Sequence, residues 1–332
     1  MKLIYSLFFL FISLSITGCG GSSAPSTPVK KEPIPAWVNS IPPNDTDTQM
    51  FGIGIGKNRE VAIKAALSDM VAKLGTTVES SFESIEKDVH SYYSTSSTSN
   101  IKSSVSKIKI NNYKVIKSFR ISYKEFAVMV ETNKQKFISG LKDNLAEKKR
   151  LIQQRYDSLR DSDALIKYNV KKDLAKQATE LLPLVLILSE VDKSFDKKLN
   201  MNFISLKQKQ FILESNNLKF YVSHDKKSKI FAKKIKNYLS QKGFNVSNSK
   251  KDSVNIKLSV HDNLSRGKIN IVVLTLNIDV FDKAKRIGGK SIILKERYNS
   301  LASVYKNASI HFEQDISSKG INKVIGINLD ID

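Results

Sequence analysis

Residues 50–75 read MFGIGIGKNREVAIKAALSDMVAKLG. Gly52, Gly54 and Gly56 alternate with Ile53 and Ile55, and a helical pattern follows. Successive side chains of a strand point to opposite faces, so the glycines would form one bare face and Phe51, Ile53 and Ile55 the other. The segment after it carries one apolar stripe, Ile63, Ala66, Leu67, Met70, Val71 and Leu74, interleaved with the small residues Ala62, Ala65 and Ala72. Asn58 stands where a helix N-cap belongs. A bare strand face beside an alanine-rich helix predicts close packing of two backbones.

The same glycines resemble nucleotide-binding loops, and both patterns fail at named positions. A dinucleotide fingerprint, GxGxxG, needs a small third residue for helix–strand packing. Counting from Gly52 puts Lys57 there, and counting from Gly54 puts Arg59 there. A phosphate loop, GxxxxGK[ST], is one residue longer than Gly52 to Gly56 allows, and Asn58 replaces the hydroxyl that would hold magnesium. No cofactor is expected.

The N-terminus sets the compartment. Lys2 precedes an apolar run, Leu3 to Ile16, shorter than the roughly 20 residues of a bilayer span. A cation, a short apolar middle and small residues after it form a secretory signal over residues 1–18. Its end, Ile16-Thr17-Gly18-Cys19, resembles the bacterial lipobox, in which the cysteine is acylated and becomes the first residue of the mature chain. Cys19 is the only cysteine among 332 residues, which excludes an intrachain disulfide framework. Two or three acyl chains, each buried methylene contributing about 0.8 kcal/mol, would hold the chain at a membrane. Gly20, not aspartate, follows the cysteine, which resembles the outer-membrane sorting pattern. Residues 19–35 are mostly Gly, Ser, Pro, Thr and Lys, a flexible tether.

The formal charge is +22, carried mostly by lysine. Nucleic-acid readers cluster arginine with aromatics; here lysines are spread along the chain among Asp and Glu, so no nucleic acid is expected. The charge reads either as attraction to anionic lipid, lipopolysaccharide or peptidoglycan, or as solvated faces.

The pattern predicts an α+β fold in three parts. Residues 36–132 form a small α+β domain: strand Gln49–Ile55, a helix at 58–74, an alternating stretch TTVESSFESI, a Ser/Thr-rich segment, and two strands, with Phe126, Val128 and Val130 on one face. Residues 133–216 are helical. Phe137 to Leu159 form one stripe, Ser162 or Asp163 caps the next helix, and a second stripe runs from Leu165 to Val185. The apolar LLPLVLIL from Leu181 reads as buried helix. Residues 217–332 form an α/β module with helices on one face of a mostly antiparallel sheet. Its last two strands are joined across KRIGGK, and a final helix covers residues 302–323.

No catalytic constellation emerges. His90, His224, His261 and His311 are scattered, and none has a metal-ligand spacing. Ser223-His224-Asp225 holds triad residue types, but neighbours in sequence cannot converge as a triad and a strand-end turn is the better reading. The chain reads as non-enzymatic.

IPAWVNSIPP, then MFGIGIG, the alanine-rich helix EVAIKAALSDMVAKLG, VESSFES and the closing YKEFAVMVET together resemble the Lpp-twenty family of outer-membrane lipoproteins over residues 35–132. Flagellar accessory lipoproteins of the FlgP and FlgT type share this domain. The resemblance implies an outer-membrane lipoprotein, anchored through Cys19 and facing the periplasm. It further implies a structural or assembly role among envelope or flagellar proteins. A binding module for peptidoglycan or lipopolysaccharide is the alternative, and homo-oligomerisation is left open.

Overall fold

The computed structural model describes residues 33–40, 43, 45–88, 108, 110–265 and 270–329. The predicted signal, most of the tether and the Ser/Thr-rich segment at 90–107 lie outside the described residues.

The first sheet is antiparallel, in the order β1 (Gln49–Gly56), β3 (Glu125–Asn133), β2 (Tyr113–Ser122). Gly52 pairs with Val130 and Gly54 with Val128, so the bare face of β1 continues into a valine face of β3. Helix α1 (Arg59–Asp88) lies across that combined face. Its Ala62, Ala66, Met70, Val71 and Leu74 are buried there, with Ile63 and Leu67 packed alongside, as the stripe predicts. The helix runs past the expected end at residue 74. The stretch at 76–85, expected as an alternating segment, is its continuation. Val78, Phe82 and Ile85 also fit a helical i, i+4, i+7 spacing, and Gly75 alone does not stop a helix already packed on a sheet.

The middle of the chain is helical. α2 (Lys134–Asp157) starts directly after β3, capped by Asn133, whose Oδ1 accepts the Lys136 amide at 2.9 Å. α3 (Ala164–Thr179) is capped by Asp163, one of the two predicted candidates. The second stripe was expected as one helix and is two. It breaks at Glu180–Leu181, and α4 (Leu182–Val191) begins with Pro183 in its first turn. Proline has no N–H to continue the preceding helix, but it fits a position whose amide would be unpaired anyway. α4 is the centre of the first core: Val185, Leu186, Ile187 and Leu188 are fully buried. α5 (Lys197–Asn217) closes this layer. One hydrophobic cluster runs from Met50 through α1, β3, α2 and α4 to Ile204. The first sheet therefore shares its core with the helices that follow.

The second sheet has the order β5 (Asn245–Val246), β4 (Lys219–His224), β6 (Val254–Ser265), β7 (Ile271–Asp282), β8 (Lys285–Arg297). β4 is parallel to both neighbours, and the other pairings are antiparallel. Val272, Leu274, Leu276, Ile278 and Val280 of β7 are buried on one face. That face carries α6 (Lys229–Gln241), α7 (Leu301–Lys319) and α8 (Ile321–Ile325), whose buried Phe231, Ile235, Val304, Phe312 and Ile325 belong to the same cluster. α6 ends as predicted at Gly243, with φ at +81°.

Two expectations here are corrected. The β7–β8 turn lies at Lys283–Ala284, with Lys283 at φ +54°, and KRIGGK runs inside β8. Its glycines serve a close approach instead: Gly289 N–H donates to Gly326 O at 3.2 Å. The terminal helix is also two helices, broken at Gly320 with φ +78°. Contacts between the cores run through α3. Tyr168 packs on Phe211 and Phe244, with ring centroids 5.6 and 5.7 Å apart. The Ala164 amide donates to Asp282 Oδ2 at 2.8 Å.

Candidate functional site

Ile16, Thr17, Gly18 and Cys19 lie outside the described residues, as does His90. The glycine strand is described fully, and it is filled by protein. A methyl placed on Gly54 would sit 2.1 Å from Ala66 N and 2.3 Å from Ala62 O; on Gly52 it would meet Ala66 O at 2.2 Å. No phosphate fits between backbones this close. The first turn of α1 is occupied too, since Asn58 Oδ1 accepts the Val61 amide at 2.9 Å and Asn58 O accepts that of Ala62 at 3.0 Å.

The close approach has a further result that the spacing did not reveal. β1 is an edge strand, and unpaired edge amides invite association with other strands. α1 sits so near that two side chains reach over the edge. Asp69 Oδ2 accepts the Ile53 amide at 3.2 Å, and Lys73 Nζ donates to Phe51 O at 2.9 Å. Asp45 Oδ1 accepts the Phe51 amide at 3.0 Å on the same edge.

Ser223, His224 and Asp225 point to different partners, as expected of a turn. Ser223 Oγ bonds Asn255 Oδ1 at 3.0 Å. His224 Nδ1 lies 2.9 Å from Asp225 O. Asp225 Oδ1 accepts from the Ser228 amide and hydroxyl, both at 2.7 Å, and its Oδ2 accepts the Val260 amide at 3.1 Å. Burial acts to raise this carboxyl, but the bonds from Ser228, Val260 and Lys227 hold it below the ordinary range. Asp225 thus ties the start of α6 to β6.

That turn forms one end of a cleft of about 840 Å³ between α6 and the first turn of α7. Five lysines line it: Lys226, Lys227, Lys229, Lys233 and Lys236. The last three fall at i, i+4 and i+7, on one helix face. Lys227 is neutralised by Asp262, whose Oδ2 also accepts the Tyr305 hydroxyl at 3.1 Å. Lys227 is the main cause of the lowered Asp262 carboxyl; burial, then the bond to Asp262, pushes the Tyr305 phenol up. Among the described residues, Lys226, Lys229, Lys233 and Lys236 have no ion-pair partner. The opposite wall, at the start of α7, is apolar: Leu301, Ala302 and the Tyr305 ring, with Leu301 53% exposed, and Ile230 of α6 adds to the apolar lining. Sequence reading registered the lysines of α6 only as part of a general charge. The helical spacing was legible, but the neighbouring first turn of α7, some 65 residues later, was not.

A second cleft, of about 490 Å³, lies between α2 and α5. Lys149 donates to Asn200 Oδ1 at 2.8 Å, and Lys207, only 2% exposed, to Gln153 Oε1 at 2.7 Å. The Lys207 ammonium lies 4.1 Å from the Tyr156 ring centroid and 5.4 Å from that of Phe203. Burial pulls both ammonium groups below the ordinary lysine range. This is a packed seam of lysines and aromatics, with no group of three or more potential metal ligands among the described residues.

Residues 35–132 match the family model of the LPP20 lipoproteins, covering the first sheet with α1. The match lies in the N-terminal domain and supports an envelope lipoprotein. The helical middle and the C-terminal module lie outside that match. The chain is similar to a secreted protein of Helicobacter pylori known from its crystal structure, at 15% identity and TM-score 0.41, over 81% of this chain and 98% of that one. It is also similar to a minor lipoprotein of Acinetobacter baumannii, at 16% identity and TM-score 0.24, over 30% of this chain and 93% of that one. No curated protein matches. No helix among the described residues is long and apolar enough to cross a membrane.

Proposed function

We propose that this protein is a non-enzymatic lipoprotein of the outer membrane, held by acylated Cys19 and facing the periplasm, with a structural or assembly role in the envelope. The observation that carries the reading is the LPP20 match beginning 16 residues after a cysteine that closes an apolar N-terminal run. The fold supports it. Its first sheet is a packing unit whose glycine face is closed by α1, so that surface is not available as a ligand site. The family resemblance extends the role to assemblies around the flagellum, and a homo-oligomer is compatible with it. Replacing Cys19 with Ala tests the anchor: the protein should leave the membrane fraction, and unchanged sedimentation with outer membranes would overturn it. Motility of a deletion strain tests the flagellar extension.

A second reading, a binding module for an anionic envelope component, is favoured by the unpaired lysines of the α6–α7 cleft. It is compatible with the first, since the cleft lies in the C-terminal module and the anchor at Cys19.

A further inference from the structure

The +22 charge is a diffuse property, but the α6–α7 cleft concentrates part of it against an apolar wall. Lys229, Lys233 and Lys236 stand along one side, free of carboxylate partners among the described residues. Leu301 and the Tyr305 ring stand along the other. The nearby carboxylates are engaged elsewhere, Asp262 by Lys227 and Tyr305 and Asp225 by Ser228 and the Val260 amide. A pocket of about 840 Å³ is large enough for a headgroup with the first carbons of its chains.

Two requirements follow for an occupant. It must carry concentrated negative charge, because three cations on one helix face gain only from an anion that meets them together. It must also carry an apolar part, because a polar ligand would leave Leu301 and Ile230 facing its hydrated groups. A glycan strand of peptidoglycan meets the first requirement through its peptide carboxylates and fails the second. An anionic phospholipid meets both. We infer that the α6–α7 cleft binds the phosphate headgroup and proximal acyl carbons of an anionic lipid, giving the C-terminal module its own membrane contact. This deepens the second reading above. It does not depend on acylation of Cys19, so the two can fail separately.

The test uses the processed chain from residue 19 with Cys19→Ser, which carries no acyl group. Sedimentation with vesicles of phosphatidylglycerol in phosphatidylcholine is compared with pure phosphatidylcholine vesicles and with purified peptidoglycan. Binding is expected on the anionic vesicles and weak on the neutral ones. The triple variant Lys229→Glu, Lys233→Glu, Lys236→Glu should lower anionic-vesicle partitioning at least about tenfold, since each lysine near such a surface contributes on the order of 1 kcal/mol. A control with the same charge change on exposed lysines elsewhere, Lys136→Glu, Lys148→Glu and Lys193→Glu, should lower it by no more than about threefold. Leu301→Ser should weaken vesicle binding while leaving circular dichroism unchanged, and the milder lysine-to-glutamine triple keeps the test valid if the charge reversal unfolds the module. Equal losses in the cleft triple and the control would reduce the effect to the overall field and overturn the proposal. So would an inert Leu301→Ser, or binding to peptidoglycan that the cleft triple abolishes while vesicle binding persists.

Discussion

Gly54→Ala is a one-methyl change whose sign depends on the architecture. In an ordinary strand interior it should help: alanine reduces the freedom of the unfolded chain, worth about 0.4–1 kcal/mol. Here the methyl would lie 2.1 Å from Ala66 N, 2.3 Å from Ala62 O and 2.6 Å from Ala65 C. All three are backbone atoms, so no side chain can rotate away and α1 itself must retreat by roughly 1 Å or more. Overpacking of this kind costs about 1–3 kcal/mol. The retreat also pulls Asp69 and Lys73 from the β1 edge, where each hydrogen bond contributes about 1 kcal/mol. The net expectation is a loss of about 3 kcal/mol. Gly140→Ala supplies the contrast. Gly140 lies within α2 with nothing near its missing methyl, so alanine should add about 1 kcal/mol through helix propensity. Urea unfolding followed by fluorescence of Trp37, the only tryptophan and part of the N-terminal domain, reads both changes. A Gly54→Ala protein as stable as the parent, or more so, would refute the claim that the glycine face exists for contact with α1.

Two further outcomes follow from the ionisable groups. Lys207→Met should leave stability within about 1 kcal/mol or raise it, because methionine keeps the packing on Tyr156 and Phe203 and removes a buried charge, whereas Lys207→Ala should cost about 2–4 kcal/mol; thermal unfolding separates them. The lowered Lys207 ammonium means that the unfolded state binds more protons in alkaline solution, so this residue destabilises less as pH approaches the ordinary lysine value of 10.5, and the Met variant should show a flatter alkaline profile. Asp192 has the opposite sign. Its bonds from Lys142 and then Ser194 lower its carboxyl from 3.8 to about 2, so its contribution is present above about pH 4 and lost as pH falls through about 2. Asp192→Asn should remove roughly 1 kcal/mol at neutral pH, after allowance for the exposed Lys142, and flatten acid unfolding in that window.

Local patterns carried much of the fold. The alternation at Gly52–Gly56 and the stripe from Ile63 to Leu74 specified β1, α1 and the face on which they meet, and the caps at Asn58 and Asp163 marked helix starts. Errors fell where one pattern served two structures. Val78 and Phe82 satisfy both periods, Ile85 only the helical one, and Gly288–Gly289 resembles a turn although it lies in a strand pressed by Gly326. Longer-range facts left no local trace. That α4 would be buried on every side by α1, α2 and α5 was visible only as high hydrophobicity. The cleft was the least legible feature, because it needs α6 and α7 side by side, and sequence spacing reports one element at a time.

The sealed edge of β1 limits how copies of this chain can stack. An open sheet offers two borders, and a subunit with both free can add neighbours without end, producing fibres. With Asp45, Asp69 and Lys73 occupying one border, β2 is the border of this sheet through which described residues remain open to strand addition. A single sticky side joins only to its own kind, giving a pair with twofold symmetry that ends there. Three polar side chains therefore act as a chain terminator for this sheet, and growth of an array through it would stop at a pair.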